Sequence, residues 1–266
     1  MPRVYTYGPF QSRRLGLSLG INVLPNYKLC TYNCVYCEIG ITEKENLVSP
    51  DFRIKLPPST NFRRELISIL THVPHLDSIT FGYNGEPTLN ENLLDFLNIT
   101  IEVRNKLDWD KKQPNLTIFT NSSTIHHETI RNRLKNFEIV LAKLDVATSE
   151  DFKRTNRPHE NSPNIVKIIE SLAKLKQIMP HDHRLTIQTL LYDSYKEDFL
   201  SNNNKKNIEE LAKAIKKIKP DNVQIYTTAR IPAEYFVYSI DDIRKQEIVK
   251  YIEKIVLDKN VQVKFY

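Results

Sequence analysis

Short apolar, β-favouring runs recur along this chain with helical stripes between them. The runs are LGINVL (19–24), SITFGY (78–83), LTIFTN (116–121), EIVLAKLDV (138–146), LTIQTLL (185–191) and NVQIYTT (222–228). Phe62, Leu66, Ile69, Leu70 and Val73 fall on one face of a 3.6-residue repeat, as do Ile165, Ile168, Ile169, Leu172 and Leu175. Ile248, Ile252, Ile255 and Val256 form a third stripe, with Asp241 ahead of it as an N-cap. Leu93, Leu94, Leu97 and Ile101 predict a helix after the second strand, and Ile208, Leu211, Ile215 and Ile218 one before the sixth. Such alternation predicts a mostly parallel sheet with right-handed crossovers. The fold class is therefore α/β, and six units predict a partial (β/α)6 TIM-like barrel, with an open doubly wound sheet as the alternative. SNNNKKN (201–207) reads as an exposed polar loop, and no stretch reads as a linker. Residues 1–266 are expected to form a single domain.

Parallel strands covered on both faces usually read as nearly continuous apolar runs. Here one face of most strands is polar at period two: Thr80, Asn84 and Glu86; Lys143 and Asp145; Thr186 and Gln188; Gln224, Tyr226, Thr228 and Arg230. Several fall at C-terminal strand ends, where α/β sheets bind ligands. If these faces converge, the interior is polar and needs a polar occupant. The plainer alternative is that Lys143 and Asp145 pair with each other or with neighbours.

Composition narrows the class. Hydrophobic residues make up 40% of the 266 and charged ones 26%, an ordinary globular balance. No run of about 18 apolar residues occurs, so no spanning helix is expected. MPRVYTYGPF lacks the apolar segment of a secretory signal, which predicts a cytoplasmic protein. The net charge of +6 draws partly on KAIKKIKP (213–220), which reads as the wet face of a helix rather than a nucleic-acid footprint. The adjacent His126 and His127, and His181 and His183, read as loop residues facing water.

All three cysteines lie within CTYNCVYC (30–37). An odd count in a reducing compartment argues against a disulfide framework. A redox Cys34–Cys37 pair would leave Cys30 without a role. Zinc wants four closed ligands, which His72 or His75 could complete. Buried inert thiols would not explain the clustering. Thiolates are also the usual ligands of iron–sulfur clusters, and a four-iron cluster on three of them keeps one iron open.

Cys30-x-x-x-Cys34-x-x-Cys37, with aromatic Tyr36 just before the last cysteine and the loop following a first strand, resembles the cysteine motif of the radical S-adenosylmethionine (SAM) superfamily. GYNGEPTLN (82–90) resembles its glycine–glutamate motif, which implies that Gly85, Glu86 and Pro87 receive the amino group of SAM. FTNSS (119–123) resembles the third-strand end, placing Asn121 and Ser122 near the cofactor. LAKLDVAT (141–148) resembles the fourth-strand motif, with Lys143 and Asp145 facing the ribose and carboxylate of SAM. Gln188 and Ile225 occupy positions that commonly approach the ribose and adenine. YGPFQSRRLGLSLGINVLP (7–25), FKRTNRPH (152–159) and TTARIPAEY (227–235) are similar to the group that includes the wyosine-type tRNA-modifying synthases. The archaeal members of that group carry additional N-terminal cysteines for a second cluster; this chain has none before Cys30.

The resemblance implies a 4Fe–4S cluster on Cys30, Cys34 and Cys37 with SAM at the fourth iron. An electron from a flavodoxin-like or ferredoxin-like partner would cleave SAM to methionine and a 5′-deoxyadenosyl radical, which takes hydrogen from a substrate. That implies an enzyme of oxidoreductase or transferase type acting on tRNA, protein or a small metabolite, with no DNA or membrane partner expected. Arg13, Arg14, Arg157 and Arg230 are candidates to grip a substrate carboxylate or phosphate, since guanidinium forks suit such groups. The rival from another class is a non-catalytic zinc- or iron–sulfur-binding module.

Overall fold

The computed structural model describes residues 3–256 and 261–266. Its strands are β1 (Thr6–Ser12), β2 (Gly16–Ile21), β3 (Ser78–Phe81), β4 (Asn115–Thr120), β5 (Ile139–Lys143), β6 (Arg184–Ser194), β7 (Asn222–Thr227), β8 (Val237–Ser239) and β9 (Gln262–Phe265). The helices are α1 (Thr60–Leu70), α2 (Leu93–Asn105), α3 (Glu128–Leu134), the short α4 (Ser149–Asp151), α5 (Ile165–Ile178), α6 (Lys205–Ile218) and α7 (Asp242–Val256). The chain α4 begins continues as a wide turn, Phe152–Asn156.

One mixed sheet runs β1-β2-β3-β4-β5-β6-β7-β9, with β8 folded antiparallel onto β6. Strands β2 to β7 are parallel and stand in chain order. A doubly wound sheet needs a point where that order reverses. None is present in this sheet, so the crossovers coil one way and the sheet curls into the expected half-barrel. An antiparallel hairpin, β1–β2, closes one edge and parallel β9 the other.

Local chemistry explains the elements. In α1, Ser59 accepts from the Asn61 amide as N-cap, and Phe62, Leu66, Ile69 and Leu70 bury one face. Buried Glu65, on the same helix, accepts the Thr6 amide at 2.7 Å and the Thr6 hydroxyl at 2.6 Å, and so tethers the edge strand β1. Asn164 and Asn204 cap α5 and α6, and Asp241 accepts the Arg244 amide at the start of α7, as its position predicts. The main core lies between sheet and helices, with Leu19, Ile21, Ile79, Phe81, Ile118, Val140 and Ile187 fully buried. Truncating one such leucine or isoleucine to alanine costs about 2–5 kcal/mol. A smaller cluster of Val35, Tyr36, Leu190, Tyr192, Phe236 and Val237 clamps the cysteine segment against β6 and β8.

The inner face of the curl carries the polar residues. Hydrogen bonds join Ser18, Thr80, Ser78 and Thr117 across β2, β3 and β4 at 2.8–2.9 Å. Gln188 Nε2 donates to Gln224 Oε1 at 2.8 Å between β6 and β7. Because the strands are parallel, every segment leaving a C-terminal strand end emerges at the same rim. The cysteine segment, GYNGEPTLN, FTNSS and LAKLDVAT therefore meet there.

Candidate radical-chemistry site at the barrel rim

The cysteine segment leaves β2 and is tied down at both ends. The Cys30 amide donates to Asn46 O at 3.1 Å, and Cys30 O accepts from the Val48 amide at 2.9 Å. The Cys37 amide donates to Cys34 O at 3.2 Å, closing a tight turn between the last two cysteines. Gly85 packs on the same segment with φ +127°, and a Cβ there would overlap the Leu29 carbonyl oxygen. The Glu86 amide donates to that oxygen at 3.0 Å.

Each cysteine sulfur has one N–H donor. Lys28 Nζ lies 3.2 Å from Cys37 Sγ, Asn121 Nδ2 lies 3.4 Å from Cys30 Sγ, and Asn156 Nδ2 lies 3.4 Å from Cys34 Sγ. Lys28 is further held by Gly40 O at 2.5 Å, and Asn121 by Thr31 Oγ1 at 2.8 Å. Burial pushes the Cys30 thiol up to about 11, with the Glu86 charge a lesser contribution in the same direction. Burial, then the neighbouring Cys37 and Cys30 sulfurs, push Cys34 up to about 12. Unaided, both thiols hold their protons, so the set needs a strongly positive guest to ionise it.

The geometry separates the candidate guests. Among the described residues, the trio of candidate ligands with donor atoms all within 4.8 Å of one another is Asp51, His126 and His127; the three cysteine sulfurs do not form such a trio. Thiolates on one tetrahedral zinc stand roughly 3.8 Å apart, given a zinc–sulfur bond of about 2.3 Å. The histidines considered for a Cys3His site do not complete one. His72 and His75 precede β3 and lie at the opposite, N-terminal end of the sheet, where His72 Nδ1 meets Ser68 O at 2.7 Å. Three spread sulfurs with three N–H donors instead fit an iron–sulfur cluster, whose sulfurs commonly accept such bonds.

Beside the sulfurs runs a buried polar chain. Asp145, 2% exposed, pairs with Lys143 Nζ at 2.8 Å, accepts the Leu190 amide at 2.7 Å, and accepts a hydrogen bond from the Tyr36 hydroxyl. Asn156 links this carboxylate to Cys34 through contacts of 3.4 Å on either side. Lys143 Nζ donates to Tyr226 OH at 2.7 Å, and Arg14 stacks over the Tyr226 ring at 4.0 Å. Burial alone would lower Lys143, but the Asp145 carboxylate and the Tyr226 hydroxyl outweigh it and leave the ammonium firmly protonated. The mutual pairing of Lys143 and Asp145 is thus realised, at the rim and beside the cysteines.

Other expected site residues fall in varied places. Glu86 is fully buried and already carries four donors: the Thr88 amide and hydroxyl, the Thr120 hydroxyl and the Asn121 amide. Its carboxylate braces the ends of β3 and β4, while its amide and Gly85 meet the Leu29 carbonyl next to Cys30. Ser122, at φ +71°, donates to Lys143 O at 2.8 Å and links β4 to β5. Gln188 faces the lumen. The Ile225 side chain is fully buried in the core between sheet and helices; its neighbours Gln224 and Tyr226 face inward because side chains alternate along a strand. Arg157 pairs with Glu234, Arg230 with Glu38 at 3.1 Å, and Arg13 is exposed. Arg14 alone of the four turns inward, and its Nη1 is buried without a hydrogen-bond partner. Sequence reasoning missed Lys28, Thr31 and Asn156. FKRTNRPH had marked the segment holding Asn156 but not its role.

No family model matches the chain. It is 32% identical over 87% of its length to the UPF0026 protein MJ1312 of Methanocaldococcus jannaschii, covering 65% of that protein. It is 30% identical over 93% of its length to a GTPase Obg of Brachyspira hyodysenteriae, covering 33% of that protein. The chain spans less than two thirds of each of these relatives. Among solved structures, Streptococcus suis SuiB bound to S-adenosylmethionine superposes with a TM-score of 0.60 at 14% identity, covering 93% of this chain and 50% of SuiB. TYW1 with a lysine–pyruvate adduct gives a TM-score of 0.57 at 12% identity, with 89% and 73% covered. These are radical SAM enzymes, and they share the curled half-barrel. In fold, this chain matches these radical SAM enzymes, and its three cysteines stand at the rim of the shared half-barrel.

Proposed function

We propose that the chain is a radical SAM enzyme in which Cys30, Cys34 and Cys37 hold a 4Fe–4S cluster. The observation that carries this reading is the trio of thiols at the rim, too far apart for one ion and each met by a single N–H donor. When bound, the cluster supplies one electron to SAM, whose cleavage yields methionine and a 5′-deoxyadenosyl radical that removes hydrogen from the substrate. Lys28, Asn121 and Asn156 stabilise negative charge on the sulfurs. Asn156 also couples Cys34 to Asp145, so the cysteine turn and the buried ion pair hold one another in place. Tyr36, pinned by Asp145, and the smaller apolar cluster around it exclude water from one side of the rim. Arg14, its Nη1 without a partner and its guanidinium over the Tyr226 ring, meets an anionic group on the substrate, which is a tRNA, a protein or a small metabolite. A flavodoxin- or ferredoxin-like protein supplies the electron.

The test is anaerobic reconstitution with iron and sulfide, reduction, addition of SAM, and chromatography for 5′-deoxyadenosine. The wild-type chain is expected to form it and Cys34→Ala not to. A Cys34→Ala protein that still forms it overturns the assignment.

A further inference from the structure

The turn that leaves β4 carries a second set of ligand atoms, away from the cysteines. Asp51, His126 and His127 each place one donor atom within 4.8 Å of the others. The histidines, read from the sequence as loop residues facing water, are instead half-buried and packed against each other, their ring centroids 3.8 Å apart and their planes tilted by 41°. Asp51 reaches them from the segment that follows the cysteines, which Val48 ties to Cys30.

The histidine nitrogens are prepared for a metal. His126 Nδ1 lies 2.9 Å from Ser123 O, so that nitrogen carries the proton and Nε2 keeps the lone pair. Metal-binding histidines are oriented in this way, by donating the far N–H to a carbonyl. His127 Nε2 lies 2.8 Å from Asp51 Oδ1, yet it is shielded from solvent and not aligned for a hydrogen bond. A desolvated ring nitrogen beside a carboxylate, with no proper partner, is what a shared cation would satisfy.

The support around the turn is rigid. Arg131 donates to both Ile125 O and His126 O at 2.8 Å, and the His127 amide donates to Thr124 O at 3.1 Å. Thr124 is joined to Thr88 at 2.6 Å and Ser123 to Thr31 at 2.7 Å. Sites held by such second contacts bind with little reorganisation. Of the nearby guanidinium groups, Arg131 is held by the Ile125 and His126 carbonyls and Arg53 by the Pro50 and Phe52 carbonyls. Two imidazoles and a carboxylate suit zinc and its neighbours better than magnesium or calcium, and leave a position for water.

We propose that Asp51, His126 and His127 bind one divalent transition-metal ion, best matched by zinc, which staples the segment following the cysteines to the exit of β4. This proposal is independent of the iron–sulfur reading.

The test removes the thiols from the measurement. The Cys30→Ser, Cys34→Ser, Cys37→Ser chain is stripped with chelator and titrated with zinc by calorimetry, then with cobalt(II) by visible absorption. One equivalent of zinc is expected, with a raised melting temperature. Cobalt should give ligand-field bands without thiolate charge transfer. His127→Ala and Asp51→Asn should each weaken zinc binding roughly tenfold or more. A flat isotherm, or binding unchanged by both substitutions, overturns the proposal. If the triple variant loses its circular-dichroism spectrum, zinc per chain is compared between wild type and His127→Ala in the native background. The thiols then contribute equally to both, so a loss of one equivalent supports the site and equal content overturns it.

Discussion

Gly85 and Leu29 lie so close that the glycine has no room for a side chain: its φ is +127°, and a Cβ would overlap the Leu29 carbonyl oxygen. That oxygen belongs to the residue before Cys30 and accepts the Glu86 amide at 3.0 Å. The glycine–glutamate motif therefore positions the first cysteine mechanically. Gly85→Ala is expected to cost about 1–3 kcal/mol from backbone strain alone, and to lower iron bound per chain after reconstitution. Urea melts and iron analysis check both. Full iron content with unchanged stability would contradict this role.

Lys28 is the one full positive charge among the three donors to the sulfurs. Lys28→Met is expected to move the cluster's reduction potential to more negative values, because the charge favours the more reduced, more negative cluster. Iron retention against a chelator should fall about 10- to 100-fold, the usual effect of removing a group that supports a metal ligand. An EPR-monitored redox titration measures the first effect; an unmoved potential would show that Lys28 only pins Gly40.

The buried pair at the rim gives a stability prediction. Asp145→Asn leaves Lys143 without its carboxylate and weakens the bonds from Tyr36 and Leu190. Breaking one side of a buried pair costs about 3–5 kcal/mol. Adding Lys143→Met should recover part of that loss, a non-additivity that paired denaturant melts reveal. Strict additivity would show that the two residues do not support each other.

Glu86 sets a pH dependence. Burial raises its pKa from 4.5, against the hydrogen bonds from Thr88, Asn121 and Thr120. A carboxyl raised in the folded state contributes stability that is fully present below the unfolded pKa and is lost as pH rises through the folded one. Glutamine does not titrate there. The stability of wild type relative to Glu86→Gln should therefore fall as pH rises above the ordinary carboxylate range. A difference that stays flat or grows would contradict the burial argument.

Much of this was legible in the sequence, for identifiable reasons. The runs at 78–83, 116–121, 185–191 and 222–228 became strands within a few residues of their ends, because each puts apolar side chains toward the helices. The first run, 19–24, missed the start of β2 at Gly16, since Gly16, Leu17 and Ser18 give no apolar alternation. β1, TYGPFQS, went unread because its glycine, proline and polar residues suit an edge strand held by Glu65 from another element. α3 has just Ile130 and Leu134 buried, too few for a stripe. In the site, spacing marked the cysteines and FTNSS marked Asn121, whereas the donors Lys28 and Asn156 were set by side-chain approach across the rim. The same limit hid the meeting of Asp51 with His126 and His127.

The most direct test of the central claim is the EPR spectrum of the anaerobically reconstituted, dithionite-reduced chain, recorded before and after SAM is added. The account predicts a brown protein with a reduced four-iron signal whose g-values shift when SAM occupies the iron that no cysteine holds. A colourless zinc protein, or a cluster signal that SAM leaves unchanged, would contradict it.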